Sequence, residues 1–516
     1  MNPRKLKLLA FVLLSSFTIF SIIRSGHAQK SEKRFTPAIP KTWDDQALAS
    51  VELPLASTGV PPDHIPTDYY YRMPVRPIYK SYPIYAPGNE PPGYFEKLAE
   101  LEPEVVFDQT KLKTEEDWIK AGELAFDAPI TYDAQTIGFI TPAEVRNPMW
   151  YRRVGVPITK DGVMPFARYV IRKKGVVQVG SLSCGTCHTR VMADGSVIKG
   201  AQGNFPFDRA IAFLLQSETL PEQQRLQGQR AATGLLFSVP WIRPDPLASL
   251  HQMSLSQLIS TYEAIPAGVI ARHGSSPLSP VQVPDLIGVK DRRYFDRTGL
   301  VRHRDIGDLM RYGALNQDAD LLSRYGDFRP LERSVGMLPP PAFLGRYSDE
   351  QLYALALYLY SLEPPTNPHK YDAAAARGKR VFEREGCASC HTPPLYTNNK
   401  LTPAEGFKVP EEHRNKYDIL PISVGTDPGL ALKTRRGTGY YKVPSLKGVW
   451  YRGPFEHSGS VATLEDWFDP RRLRDDYVPT GFKGSGVKTR AVKGHEFGLK
   501  LSREDKRALI AFLKTL

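Results

Sequence analysis

The sequence predicts a mainly α fold in which one helical domain occurs twice in tandem, with long loops and a small β-hairpin inserted in the first copy. Three observations predict it. Short motifs recur in the same order in both halves, each half carries one Cys-x-x-Cys-His pentad, and each half closes on a capped amphipathic helix.

The repeat begins with a helix signal, Ala121-Gly122-Glu-Leu-Ala-Phe126 in the first half and Arg377-Gly378-Lys-Arg-Val-Phe382 in the second. The pentads come next. Val283-Pro284-Asp-Leu286-Ile-Gly288-Val289 then returns as Val443-Pro444-Ser-Leu446-Lys-Gly448-Val449, and Phe295 to Gly299 returns as Phe455 to Gly459, all at an offset of 160 residues. Ser348-Asp-Glu-Gln351 and Ser502-Arg-Glu-Asp505 each set a capping hydroxyl three positions ahead of a polar or acidic partner, the signature of a helix start. Leu352, Leu355 and Leu359 line one face of the first closing helix, and Leu509, Phe512 and Leu516 line one face of the second. Leu362-Glu-Pro-Pro-Thr-Asn-Pro368 reads as the linker between copies 115–365 and 370–516.

The copies differ ahead of the pentad. Gly122 to Cys184 spans 62 residues and Gly378 to Cys387 spans 9, so the first copy carries 53 extra residues. Within them Phe166–Ile171 and Val176–Val179 flank a basic glycine turn and predict a hairpin, which either shapes a pocket or decorates the surface. Residues 29–114, rich in proline and tyrosine, are expected to wrap the surface rather than form a domain.

Cys184-Gly-Thr-Cys187-His188 and Cys387-Ala-Ser-Cys390-His391 use all four cysteines of the 516-residue chain. Two thiols at this spacing can form thioethers with the vinyl groups of one haem, while the adjacent histidine ligates the iron. Zinc sites do not call for a histidine directly after each pair, and a redox dithiol belongs in a βαβ setting that the sequence lacks. The expectation is two covalently bound haem c groups, with Cys184, Cys187, Cys387 and Cys390 as attachment points and His188 and His391 as proximal ligands. Small c-type cytochromes bury haem between crossing N- and C-terminal helices, so each copy reads as a cytochrome c-like domain.

Arg4, Lys5 and Lys7 precede an apolar run from Leu8 to Ile23, and Gly26-His27-Ala28 supplies small residues for a signal peptidase. Residues 1–28 therefore read as a signal peptide, with an uncleaved anchor as the competing reading; either exports the chain to the periplasm or beyond, where haem is attached to such motifs. Lys and Arg number 68 against 55 Asp and Glu, a net charge of +13, of which the leader carries four positive charges. A basic surface on an exported cytochrome suits an acidic redox partner or an anionic envelope surface, not nucleic acid. The 45 prolines and 40 glycines predict a loop-rich chain.

Val443-Pro-Ser-Leu-Lys-Gly-Val-Trp450 followed by Pro454-Phe-Glu-His457-Ser-Gly459-Ser-Val-Ala-Thr-Leu-Glu465 resembles the C-terminal haem domain of bacterial dihaem cytochrome c peroxidases and MauG-type enzymes. Ser181 to Phe207 and Gly494-His495-Glu-Phe-Gly498 look more like the rubber-oxygenase branch of that superfamily. The resemblance covers residues 115 to 516 and implies a division of labour. One haem, usually the N-terminal one, opens a coordination position to peroxide or dioxygen, with an organic substrate in the oxygenase case; the other relays electrons to or from a small redox protein.

The sixth iron ligands follow from the same resemblance. No methionine follows Met337, so the Met ligand that peroxidases of this family use in the second domain is excluded. His495, 7 residues before the cap Ser502, matches the rubber-oxygenase histidine and is the expected distal ligand of the second iron, ahead of His457 and His413. For the first iron, Met337 stands 11 residues before Ser348 and would make that domain an electron carrier; His303, or His251 or His273, would instead be a distal acid-base group. Asn204-Phe205 occupies the place of the peroxidases' early distal histidine, which leaves room for an aromatic-walled pocket. Trp241 and Trp450 are candidates for an aromatic bridge between haems, with core packing as the alternative. Calcium between the domains is left open, since Pro454 matches one family position and Arg452 stands at another. The enzyme reading competes with a non-catalytic dihaem electron-transfer cytochrome.

Overall fold

The computed structural model describes residues 35–133, 140–272, 274–317, 321–330 and 345–516. The leader, His273 and Met337 lie outside the described residues. The helices that position the sites are α1 (Glu115–Asp127), α2 (Cys184–His188), α3 (Ile306–Gln317), α4 (Asp349–Ser361), α5 (Ala373–Arg384) and α6 (Arg503–Lys514).

One helix crossing occurs in each half. α1 starts on a reciprocal Thr114–Asp117 cap and crosses α4, which starts on the matching Ser348–Gln351 cap. α5, capped by Asp372, crosses α6, capped by Ser502. Both crossings close on a glycine. A Cβ on Gly122 would sit 2.0 Å from the Ala354 carbonyl oxygen, and one on Gly378 would sit 1.9 Å from that of Ala508. No side chain fits there, so Gly122 and Gly378 let the two backbones touch.

The repeat extends to backbone dihedrals. Gly288 and Gly448 both have φ 71°, and Gly299 and Gly459 have φ 66° and 71°. Between them Asp296 and Glu456 take left-handed values of 60° and 69°. An acid there has no glycine's freedom and carries strain of about 1–3 kcal/mol.

The hairpin of the first half is larger than its sequence signal. β3 (Val163–Lys173) and β4 (Val176–Ser181) form the centre of a four-stranded antiparallel sheet, flanked by β1 (Ser81–Tyr85) against β3 and β2 (Thr131–Tyr132) against β4. Gly175, at φ 83°, makes the turn. The stretch expected to wrap the surface contributes an edge strand and a share of the core. Trp43, Val51, Leu55, Ile65 and Tyr70 are buried in one cluster with α1 and α4 residues. Trp43 stacks on Tyr70 at 4.4 Å, and its indole N–H donates to the Ile65 carbonyl at 2.8 Å. Aromatic anchors spaced along a proline-rich chain thus bury enough apolar area to hold it down without long helices. Residues 362–368 run without regular structure, as their prolines require.

A second pairing matters for the sites. β5 (Val269–Ile270) pairs with β6 (Val281–Gln282), and the Gln282 amide donates to the His457 carbonyl at 2.7 Å, joining the halves.

Candidate functional site

The first pentad forms α2. Ser183 caps it, accepting from the Thr186 amide at 3.1 Å, and the Thr186 hydroxyl donates to the Phe166 carbonyl at 2.8 Å, which fixes the pentad to β3. Cys184, Cys187 and His188 then line a cavity of about 1300 Å³, part of it open to solvent. Its walls come from α3 through Leu309, Met310 and Tyr312, from α4 through Leu352, Leu355 and Leu359, and from the second half through Leu430, Thr434 and Arg436. The His188 Nδ1 stands 3.0 Å from the Pro284 carbonyl. A carbonyl only accepts, so Nδ1 carries the proton and Nε2 keeps a free lone pair. Burial pushes His188 down to about 4, so the ring is neutral, as a metal ligand must be.

The second pentad follows Gly386, whose φ of 76° turns the chain out of α5. Cys387, Cys390 and His391 line a cavity of about 1600 Å³ with Phe382, Leu509 and Leu513 from the helix crossing. The His391 Nδ1 faces the Tyr396 carbonyl at 3.2 Å, with the Pro444 carbonyl as a second acceptor. Pro284 and Pro444 are the same position of the repeat. Burial lowers the His391 pKa too.

The four thiols are free, and burial raises Cys184 to about 12, Cys387 to about 11, and Cys187 in the same direction. Redox dithiols and metal thiolates are held in the opposite direction. Two large, mostly apolar cavities, each entered by paired thiols and one neutral imidazole, fit a flat macrocycle bearing iron.

The far sides differ. In the second cavity His457 and His495 join His391. His495 lies between the Trp467 and Phe497 rings at 5.4 and 5.5 Å, and its Nδ1 is sealed from solvent with no hydrogen-bond partner. Burial, then His391 and Arg472, push it down to about 3. Its loop is gathered by Arg472, fully buried, which donates to the carbonyls of Trp467 at 2.9 Å and of Val492 and His495 at 2.7 Å each. The His457 Nδ1 is engaged by Glu456 and by Thr426. Hydrogen bonds from His457 and Ser458 hold Glu456 at about 2 despite burial.

In the first cavity His188 is the sole histidine among the described lining residues. Its polar end is a network that sequence reasoning missed. The Tyr312 hydroxyl donates to Asp296 Oδ1 at 2.6 Å, and Arg436 reaches Asp296 Oδ2 at 3.1 Å and Asn316 Oδ1 at 2.9 Å. Burial and the Asp296 charge push the Tyr312 phenol well above its ordinary range. The 160-residue offset was the available signal, because it pairs Asp296 with Glu456.

One strand separates the cavities. Val281 and Val283 line the first and Gln282 the second, as alternation along an extended chain requires. Beside it Arg297 lines both.

No family model matches the chain. The cytochrome-c peroxidase IdrP1 of Pseudomonas sp. (strain SCT) is 29% identical over 163 residues, covering 28% of this chain and 40% of that protein. The methylamine utilization protein MauG of Methylorubrum extorquens is 31% identical over 146 residues, covering 28% of this chain and 35% of that protein. Over the matched segment the chain is similar to proteins of the dihaem cytochrome c peroxidase and MauG superfamily. The match spans well under half the length of these curated relatives. Among solved structures, Kuenenia stuttgartiensis hydrazine synthase shares 17% identity over 60% of this chain and 92% of its own, at a TM-score of 0.27. A MauG-like protein associated with microbial copper homeostasis shares 19% over 33% of this chain and 56% of its own, at 0.21. Scores this low carry no structural argument.

Among the described residues, the other candidate histidines and aromatics line neither cavity. His303 is held by the Arg292 carbonyl and the Tyr360 hydroxyl, each at 2.6 Å, and stacks on Phe295. It lines neither cavity, its two ring nitrogens being taken by those partners. His251 stands at the surface near Asp245, and His413 bonds the Tyr440 hydroxyl at 2.8 Å. Phe205 packs on Phe166 in the sheet core, and the Asn204 amide bonds the Val191 backbone, so neither walls the first cavity. Trp241 stacks on Tyr325, and Trp450 packs on Tyr451 and His369; neither lines a cavity. The Pro454 carbonyl accepts from the Gln202 and Gln282 side-chain amides.

Proposed function

We propose that the chain is an exported dihaem c-type cytochrome oxidoreductase, peroxidase- or oxygenase-like, whose residues 115–365 and 370–516 form two cytochrome c-like haem domains behind a leader at 1–28 and an extension at 29–114. Cys184 and Cys187 attach one haem and Cys387 and Cys390 the other, with His188 and His391 as proximal ligands and His495 opposite His391. The first cavity is the place of chemistry, taking peroxide or dioxygen, and the second relays electrons with a small redox protein. One observation carries this reading: three histidines line the second cavity, whereas His188 is alone among the described residues lining the first.

Bound haem supplies one-electron redox chemistry and, at an open iron, a site for the oxidant. The chain's residues do the rest. The carbonyls of Pro284 and Tyr396 orient the proximal rings of His188 and His391 through Nδ1. Tyr312 Oη holds a proton against Asp296 Oδ1 at the polar end of the first cavity, where a positioned phenol can deliver it. Leucines of α3 and α4 keep water from the rest of that space.

Absorption and electron spin resonance of the resting full-length protein test the reading. One high-spin and one low-spin haem are expected, with cyanide or peroxide perturbing only the high-spin one. A chain that holds only low-spin iron, indifferent to both before and after partial reduction, is an electron carrier. The Met310 side chain at the first cavity favours that second reading, because a thioether there would close the coordination.

A further inference from the structure

Between the two cavities lies a third, smaller pocket of about 460 Å³. Arg292, Arg297, Lys442 and Arg452 line it, against one carboxylate, Asp285. Asp285 is itself engaged by the Tyr451 hydroxyl at 3.0 Å and the Ile287 amide at 3.2 Å. The other nearby acids are also committed, Asp296 to Tyr312 and Arg436, and Glu456 to His457 and Ser458.

Among the described residues the four cations bond only neutral groups. Arg292 donates to the Asp285 and Ile287 carbonyls, Arg297 to the Gln282 side chain, Lys442 to the Tyr294 carbonyl at 3.3 Å, and Arg452 to the Ser445 carbonyl at 2.7 Å. The Nε groups of Arg297 and Arg452 are buried without a partner. Burial, then Arg292 and Arg297, drive Lys442 well below the ordinary lysine range. Gathering like charges away from water is unfavourable unless an anion joins them. An anion of about two or three charges would balance four cations and one carboxylate.

The pocket's neighbours identify the anion. Arg297 also lines both large cavities, and Lys442 and Arg452 also line the second. A group occupying either cavity therefore reaches this pocket with its polar edge. A haem's polar edge carries two carboxylates. We propose that the pocket seats carboxylate side chains of both haems, and that Arg292, Arg297, Lys442 and Arg452 hold them where a divalent cation would otherwise be needed. The Pro454 carbonyl, bonded by two glutamine amides, faces donors rather than a metal ion. This rests on the two-haem reading above.

The test is a spectroelectrochemical titration of the full chain, with haem content measured on every sample. Removing a positive charge beside an iron favours its oxidised state. Arg297→Gln is expected to lower both midpoint potentials by at least tenfold in the electron-transfer equilibrium, which is about 59 mV for one electron. Lys442→Gln and Arg452→Gln are expected to lower mainly the second. Arg297→Lys, which keeps the charge, should retain wild-type values; a shift as large as that of Arg297→Gln would assign the effect to packing and overturn the proposal. Two haems per chain with unmoved potentials overturn it as well. So does a shift of the wild-type potentials on adding inorganic phosphate, which marks a site open to free anions, or on adding EDTA, which marks a bound divalent cation. A chain isolated without haem overturns the functional reading itself.

Discussion

The two cavities are built from one kit and finished differently. Each has a pentad, a backbone carbonyl facing the histidine Nδ1, a left-handed acid at the same repeat position and a glycine-closed helix crossing. Beyond this kit, the first cavity is lined by Tyr312 on Asp296 and Arg436, whereas the second is lined by His457 and His495. The two halves share these features and differ in what else lines each cavity. The two left-handed acids make the same point. Both backbones carry the strain, yet Asp296 is paired with a phenol and a guanidinium and Glu456 with an imidazole.

The largest effects should come from the shared kit. Gly378→Val and Gly122→Val force a side chain into a backbone oxygen about 2 Å away, a clash of about 3 kcal/mol or more in a packed core. Both variants are expected to lose most of their thermal transition by circular dichroism and to hold less haem. If one half tolerates valine, the crossings are not equivalent.

The far sides should then separate. His495→Ala is expected to convert one low-spin haem to high spin in the resonance spectrum and leave the other unchanged; an unchanged spectrum removes His495 as a ligand. Arg472→Met strands three buried carbonyls at about 1–3 kcal/mol each, so a partial version of the same conversion is expected, with a lowered melting temperature. Tyr312→Phe acts only in the first cavity. It should slow peroxide turnover by about a hundredfold, the typical weight of a positioned proton donor, with the low-spin signal unmoved.

How far this could be read from sequence depends on the range of the interaction. The capped helices at Ser348 and Ser502 and the glycines of the crossings are local or periodic signals, and both stand where the repeat puts them. The core role of residues 35–110 was hidden, because Trp43 on Tyr70 is a tertiary contact inside a proline-rich stretch with no periodicity. His303 looked functional from its place after Gly299, yet its ring is spent on the Arg292 carbonyl and Tyr360. Asp296 and Arg472 were passed over for a related reason. An acid in a turn and an arginine in a loop look solvated until the fold shows that Arg472 is fully buried on three carbonyls.

The smallest effect concerns the surface of the second crossing. Arg377 and Arg384 clamp Asp505 at the start of α6, at 2.8 and 2.9 Å, whereas no ion pair joins α1 to α4 among the described residues. Hydrogen bonds from Arg384 and Arg377 lower the Asp505 pKa from 3.8. A lowered carboxylate stabilises the folded chain above its unfolded value and ceases to do so as pH falls through its folded value. Asp505→Asn should therefore melt slightly earlier than wild type at pH 7 in low salt, and the gap should close as pH falls below the ordinary carboxylate value of 3.8 and through the lowered folded one. About 1 M salt, where the screening length is about 3 Å, should also close it, since exposed pairs contribute little. A gap that survives both conditions would mean that Asp505 acts through packing, and the second crossing would then be no more dependent on charge than the first.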